Sequence, residues 1–185
     1  NAVDYYRYVA DSAQATVGLG HVVVIAPSFQ ASAAADSQEF YWPQSDWREG
    51  ADGRVNAGAP GISSYAALDA IVTALADRTR FPALTHVVIT GHSAGGQVVQ
   101  RYAAGARSTP AGLAIRYAPA NPSSFMVLNA YRYVDGAFRT SGTAFSACPG
   151  YNNYKYGRAA RTSIPYMAAP SATQLTNQYL ARSVT

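Results

Sequence analysis

Val87-Val88-Ile89-Thr90-Gly91-His92-Ser93-Ala94-Gly95-Gly96 is the stretch on which the reading of this chain turns. His86-Val-Val-Ile-Thr90 is a β-branched, apolar run of strand length. Gly91 to Gly96 follows as a tight turn, and Gln97 to Ala104 has the composition of a helix. A Gly-x-Ser-x-Gly pattern between a strand and a helix has a physical purpose. The serine must occupy a sharp, strained turn for its hydroxyl to project above the sheet. Side chains two positions before and two after Ser93 are expected to collide with backbone, which accounts for Gly91 and Gly95. The helix that follows directs its positive end at the site, and the N–H of Ala94 is positioned to donate to an oxyanion.

Working outward, the segment from Ala2 to Gln14 carries Val3, Tyr6, Val9, Ala10 and Ala13 at helical spacing. His21-Val-Val-Val-Ile-Ala26, bounded by Gly18/Gly20 and Pro27, reads as a fully buried strand. A long irregular stretch from Pro27 to Gly61 holds Phe40, Tyr41, Trp42 and Trp47. Ser63 or Ser64 then caps a helix with Leu68, Ile71, Val72 and Leu75 on one face. Leu113 to Ala118 gives a third strand, ending at Pro119. The pattern loosens beyond Asn121-Pro122, until a last helix from about Ala172 to Arg182, capped by Ser171. Ser183-Val184-Thr185 has the look of a strand just begun.

Strands alternating with helices predict an α/β fold with a mostly parallel sheet and helices on both faces. Strands near 21–26, 86–90 and 113–118 are expected to be adjacent, with the Ser93 strand central and all three buried on both faces. Ligand chemistry in such sheets gathers at the carboxyl ends of the strands. The Pro27 loop, the Gly91 turn and the Pro119 loop all fall there.

Composition narrows the partners. At 185 residues the chain suits one domain, and 49% hydrophobic with 13% charged residues suits a packed core. The net charge of +4 comes from scattered arginines and a single lysine, Lys155, with no basic stripe of the kind that marks a nucleic-acid surface. The longest apolar run, Val22 to Ala26, is far short of a membrane span. Cys148 has no second cysteine for a disulfide or a zinc pair. It reads as a buried or inert thiol, or as one whose partner lies elsewhere. Neither a metal nor an organic cofactor is implied. The wealth of tyrosine, 14 residues, and the scarcity of lysine are compatible with secretion.

Gly91-His-Ser-Ala-Gly-Gly96 resembles the nucleophile elbow of the α/β-hydrolase superfamily. His21 to Pro27 is similar to a strand leading to a substrate-side loop, and Ala120-Asn-Pro-Ser-Ser124 to the loop after the strand beyond the elbow. The resemblance implies a serine esterase or lipase-like enzyme acting on a small-molecule or polymeric ester. Ser93 would be the nucleophile and Ala94 a backbone oxyanion donor. Phe40, Tyr41, Trp42 and Trp47, with Tyr151, Tyr154 and Tyr156, either line an apolar substrate cleft or form a satellite core under the loops.

The chain departs from that family's order of Ser, then Asp or Glu, then His. After Ser93 it has one acidic residue, Asp135, which reads as a turn residue, and no histidine. His21 and His86 sit at the amino ends of their strands, roughly 15–20 Å or more from the carboxyl edge at about 3.3 Å per residue. His92 adjoins Ser93 but is expected to pack beneath the turn. Ser123 and Ser124 read as loop-capping residues near the active face. These departures, with a final strand only begun, lead to the expectation that the sequence is the central portion of a larger domain, incomplete at both ends. An apolar groove is then expected beside the strands near 113–118 and 183–185, with a second near Asn1, where the remainder of the domain would pack. Two functions stand open: a serine hydrolase working through an acyl-enzyme, and a non-catalytic binding or structural domain of the same architecture.

Overall fold

The computed structural model describes residues 2–32, 39–55 and 60–185. Helix α1 (Ala2–Thr16) is followed by a 3₁₀ turn at Leu19–His21. A longer 3₁₀ helix, Pro43–Glu49, leads into the short antiparallel pair β1 (Asp52–Arg54) and β2 (Pro60–Ser63). Next come α2 (Ser64–Leu75), β3 (His86–His92), α3 (Ala94–Gly105) and β4 (Ala114–Ala120). A hairpin of β5 (Arg132–Val134) and β6 (Ala137–Arg139) precedes two single helical turns, α4 (Thr143–Ser146) and α5 (Pro165–Ala168). Helix α6 (Ala172–Ala181) and β7 (Ser183–Val184) complete the order.

Local chemistry explains the punctuation. Ser63 Oγ accepts from the Tyr65 N–H at 3.1 Å and donates to the Gly50 carbonyl at 2.7 Å, so one hydroxyl starts α2 and ties it to the preceding loop. At α6, Ser171 Oγ accepts from Gln174 N–H while Gln174 Oε1 accepts from Ser171 N–H, a reciprocal cap. Asp135 and Gly136 both lie at positive φ, 48° and 77°, joining β5 to β6 as the two-residue turn that Asp-Gly favours. Asp135 is a turn residue, as its sequence context indicates.

The main sheet is parallel throughout, in the order β3-β4-β7. His86 through His92 pair with Ala114 through Ala120, and Arg116 and Tyr117 pair with Ser183 and Val184. Helix α3 packs against β3, β4 and α6, and carries the largest share of the core: Val98, Val99, Tyr102 and Ala103. Around it lie Tyr65, Leu68, Tyr117, Met126, Met167 and Leu175. The core tyrosines meet edge-on, Tyr65 with Tyr102 at 5.6 Å and with Tyr166 at 5.5 Å. Asp69 accepts from both the Tyr102 and Tyr166 hydroxyls, at 2.8 and 2.6 Å, so these phenols are buried without losing their hydrogen bonds.

Several expectations are corrected. Residues 22–29 form no strand, and His21 belongs to the 3₁₀ turn. Val22, Val24 and Ala26 are half-buried while Val23 and Ile25 are exposed, so this apolar run alternates in exposure without entering the sheet. Among the described residues no strand pairs with β3 on that side, so β4 is central instead of the Ser93 strand, and β3 is an edge. Nor is β3 buried on both faces. Val87, Ile89 and Gly91 are half-buried on one face, whereas His86, Val88, Thr90 and His92 are exposed on the other, Val88 to 60%. Helices therefore cover the sheet mainly from one side. α1 meets β3 through Tyr5 and His92, and only Ala10 of α1 is buried. Cys148 is exposed, not buried. Within the stretch read as irregular, the 3₁₀ helix and the β1–β2 pair provide order, while 33–38 and 56–59 lie outside the described residues.

Candidate active site

Strand β3 carries the chain to the carboxyl edge of the sheet, and the turn into α3 happens at one residue. Ser93 has φ 55° and ψ −112°, a conformation that an L side chain rarely adopts. Two backbone bonds hold it: Ser93 N–H donates to the Ala120 carbonyl at 3.0 Å, and Gln97 N–H donates to the Ser93 carbonyl at 3.0 Å. The first of these spans to the end of β4, so neighbouring strands fix the turn together. Ser93 is thereby the N-cap of α3 and Ala94 its first helical residue, whose N–H has no intrahelical acceptor.

The glycines divide differently from the expectation. A Cβ on Gly91 would lie 2.6 Å from the Gly95 carbonyl carbon and oxygen, so Gly91 is required. On Gly95, however, a Cβ would meet nothing within 4 Å. Gly96 is the second constrained position: its Cβ would lie 2.5 Å from the Ala120 oxygen. Gly95 serves the turn by presenting its backbone to Gly91. Gly96 serves it by letting α3 pass close to the end of β4.

Beyond Ala120, Asn121 also takes a positive φ, 41°, before Pro122. This second turn, level with the first, brings Ser123 over the edge of the sheet. Ser93 Oγ and Ser123 Oγ are 2.9 Å apart, hydrogen-bond distance for two hydroxyls. Ser124 points inward instead: its Oγ donates to Gln97 Oε1 at 3.0 Å and accepts from Arg101 at 2.7 Å. Gln100 Nε2 donates to the Met126 carbonyl and Gln100 Oε1 accepts from the Met126 N–H, both at 3.0 Å. Ser124 thus fixes the loop as expected, whereas Ser123, also read as a loop cap near the active face, meets Ser93 instead. No local pattern marks Ser123 as that partner, because the parallel pairing of β3 with β4 is what brings the two hydroxyls together.

Arg101 is fully buried and donates to Gln97 Oε1, Ser124 Oγ and the carbonyls of Arg48 and Lys155. One guanidinium therefore joins α3, the Pro43–Glu49 helix and two downstream loops. Lys155 reaches Glu49 at 2.6 Å across the same junction. Burial first of all pushes the Tyr65 and Tyr154 phenols well above their ordinary pKa, with the Arg101 charge opposing in part.

The histidines stand apart from Ser93. His92 is exposed, not tucked beneath the turn; its Nδ1 pairs with the Tyr5 hydroxyl at 3.2 Å. His21 and His86 are exposed as well, and His86 Nδ1 pairs with Thr85 Oγ1. Among the described residues, no histidine or carboxylate is hydrogen-bonded to Ser93 Oγ. Of the aromatic candidates, Trp42 is buried with its indole N–H on the Ala51 carbonyl, and Trp47 stacks on Phe29 at 5.5 Å. Tyr41 exchanges backbone bonds with Arg54, and Phe40 is exposed beside Trp42. A groove of about 210 Å³ runs beside β4 and β7, where an apolar groove was expected, but its lining is mixed, with Leu113, Ile115 and Tyr117 beside Thr109, Arg182 and Ser183. Asn1, the site expected for a second, lies outside the described residues.

No helix among the described residues is long and apolar enough to cross a membrane. Compared with protein-family models, with curated proteins and with solved structures, the chain finds no match.

Proposed function

We propose that the protein is a serine hydrolase of carboxylic esters or related acyl bonds, with Ser93 as its nucleophile. The observation that carries this reading is the Ser93 backbone, φ 55° and ψ −112°, between a parallel strand and a helix start. Strain of this kind persists only where surrounding structure enforces it, and it concentrates at functional sites. Ser93 Oγ attacks the acyl carbon as a general base takes its proton. The base then passes that proton to the departing alkoxide, and water cleaves the acyl-enzyme by the same route. The Ala94 N–H, at the positive end of α3, donates to the oxyanion. A base other than His21, His86 and His92 is required, an imidazole with an orienting carboxylate being the ordinary solution. Phe40, Tyr41 and Trp47 remain the proposed apolar wall for the acyl or alcohol portion, with Trp42 buried against Phe40, and a secreted location suits such a substrate.

A specific observation favours a second reading, a non-catalytic domain: Ser93 Oγ is paired with a hydroxyl, not with an imidazole. Turnover of nitrophenyl acetate by the protein from its natural source separates the two. Hydrolysis lost in Ser93→Ala is expected of the enzyme. Equal, negligible turnover in both forms would move the weight to the binding domain.

A further inference from the structure

We propose that Ser123 is a positioning residue for the nucleophile, its hydroxyl donating to Ser93 Oγ and holding it in the attacking rotamer. This rests on the hydrolase reading of Ser93. The two oxygens are 2.9 Å apart although the residues are thirty positions apart in the chain. Their meeting is built by structure on both sides. Ser93 is fixed by its strained turn and its bond to the Ala120 carbonyl. Ser123 is fixed by the residues that flank it. Ser124 is anchored on Gln97 and Arg101, and the Met126 backbone is held at both polar atoms by Gln100. Gln97, Gln100 and Arg101 are all buried, and all belong to α3, the helix that Ser93 starts. The nucleophile and its hydroxyl partner are therefore referenced to one rigid element, which makes their separation a property of the fold.

The direction of the bond follows from the chemistry. A base must receive the Ser93 proton, so that proton has to point away from Ser123. With Ser123 as donor, the bond occupies one lone pair of Ser93 Oγ and leaves the other for the acyl carbon, so the hydroxyl is held in the attacking orientation while its proton faces the base. Its own proton stays on Ser123 throughout. Loss of that hold lets the nucleophile leave its attacking geometry, which is expected to slow attack by roughly 10- to 100-fold.

The experiment uses the protein in its natural form and three variants: Ser93→Ala, Ser123→Ala and Ser123→Thr. Two quantities are measured, ester turnover resolved into kcat and KM, and the second-order rate of labelling by a fluorophosphonate. Ser123→Ala is expected to lower kcat and the labelling rate by about 10- to 100-fold, with KM little changed and the thermal midpoint unchanged, because Ser123 is exposed. Ser123→Thr, which restores a hydroxyl, is expected to recover most of the loss. A purely structural role would lower the midpoint of Ser123→Ala together with its rate. Full rate in Ser123→Ala while Ser93→Ala is inactive overturns the positioning role and leaves the hydrolase reading intact. Turnover that survives in Ser93→Ala overturns both.

Discussion

Replacing Gly96 with alanine tests the packing of α3 against the end of β4, and Gly95→Ala, one residue away, is its internal control. At Gly96 the new Cβ would stand 2.5 Å from the Ala120 oxygen and 3.2 Å from both the Gly91 oxygen and Pro122 Cα. Relief requires a backbone movement of most of an ångström, because every atom in the way is main chain. Forcing an extra carbon into such a contact costs about 1–3 kcal/mol. The same carbonyl accepts the Ser93 N–H, so moving it also weakens a bond worth about 1 kcal/mol. Better helix propensity returns up to about 1 kcal/mol. A net loss of about 1–3 kcal/mol follows, and for a chain of this size it lowers the thermal midpoint by roughly 2–12 °C. Gly95→Ala meets nothing within 4 Å, so propensity alone acts and the midpoint rises by roughly 2–4 °C. Both are read by thermal melts under circular dichroism and by urea unfolding followed through tryptophan fluorescence. Equal effects at the two positions, or the larger loss at Gly95, would refute the account of the turn.

Further outcomes follow from the same contacts. Arg101→Leu removes a buried donor from four neutral acceptors and is expected to destabilise by about 2–4 kcal/mol in urea unfolding; a change under 1 kcal/mol would show that the junction is held elsewhere. Alkaline pH should unfold the protein. Burial raises the Tyr65 and Tyr154 pKa values above the ordinary 10.0, so the folded state holds these protons more tightly than the unfolded chain. Their contribution is complete below about pH 10 and is lost as pH rises beyond it, by about 1.4 kcal/mol per unit for each phenol that must ionise. A flat stability profile from pH 9 to 11.5 would contradict this. Gly136→Ala, at φ 77°, is expected to cost about 1–2 kcal/mol by the same unfolding measurement while ester turnover is unchanged.

The sequence was most legible where one local force acts. Ser63 and Ser171 cap helices because a hydroxyl beside a free N–H is sufficient. Asp135-Gly136 turns because both residues tolerate positive φ. The Ser93 turn was legible for the same reason, as a short motif with its own steric logic. The β-branched run 21–26 misled because strand propensity reports an extended backbone and says nothing about whether a neighbour is present to pair with it. Periodicity overstated the burial of β3 likewise, since a continuous apolar run conceals which face a helix covers. Gly95 and Gly96 are indistinguishable as letters; only the approach of the Ala120 carbonyl separates them. Ser123 was hidden because its partner is brought to it by parallel pairing of β3 with β4, a contact that no local pattern encodes.

The central claim, that Ser93 is a nucleophile, is tested most directly by mapping the site of covalent capture. The protein in its natural form is treated with a fluorophosphonate, digested, and its peptides sequenced by mass spectrometry. The account predicts a single adduct, on the Ser93 hydroxyl, and none in Ser93→Ala. An adduct on a different residue, or labelling of the Ser93→Ala protein at the same rate, would contradict it.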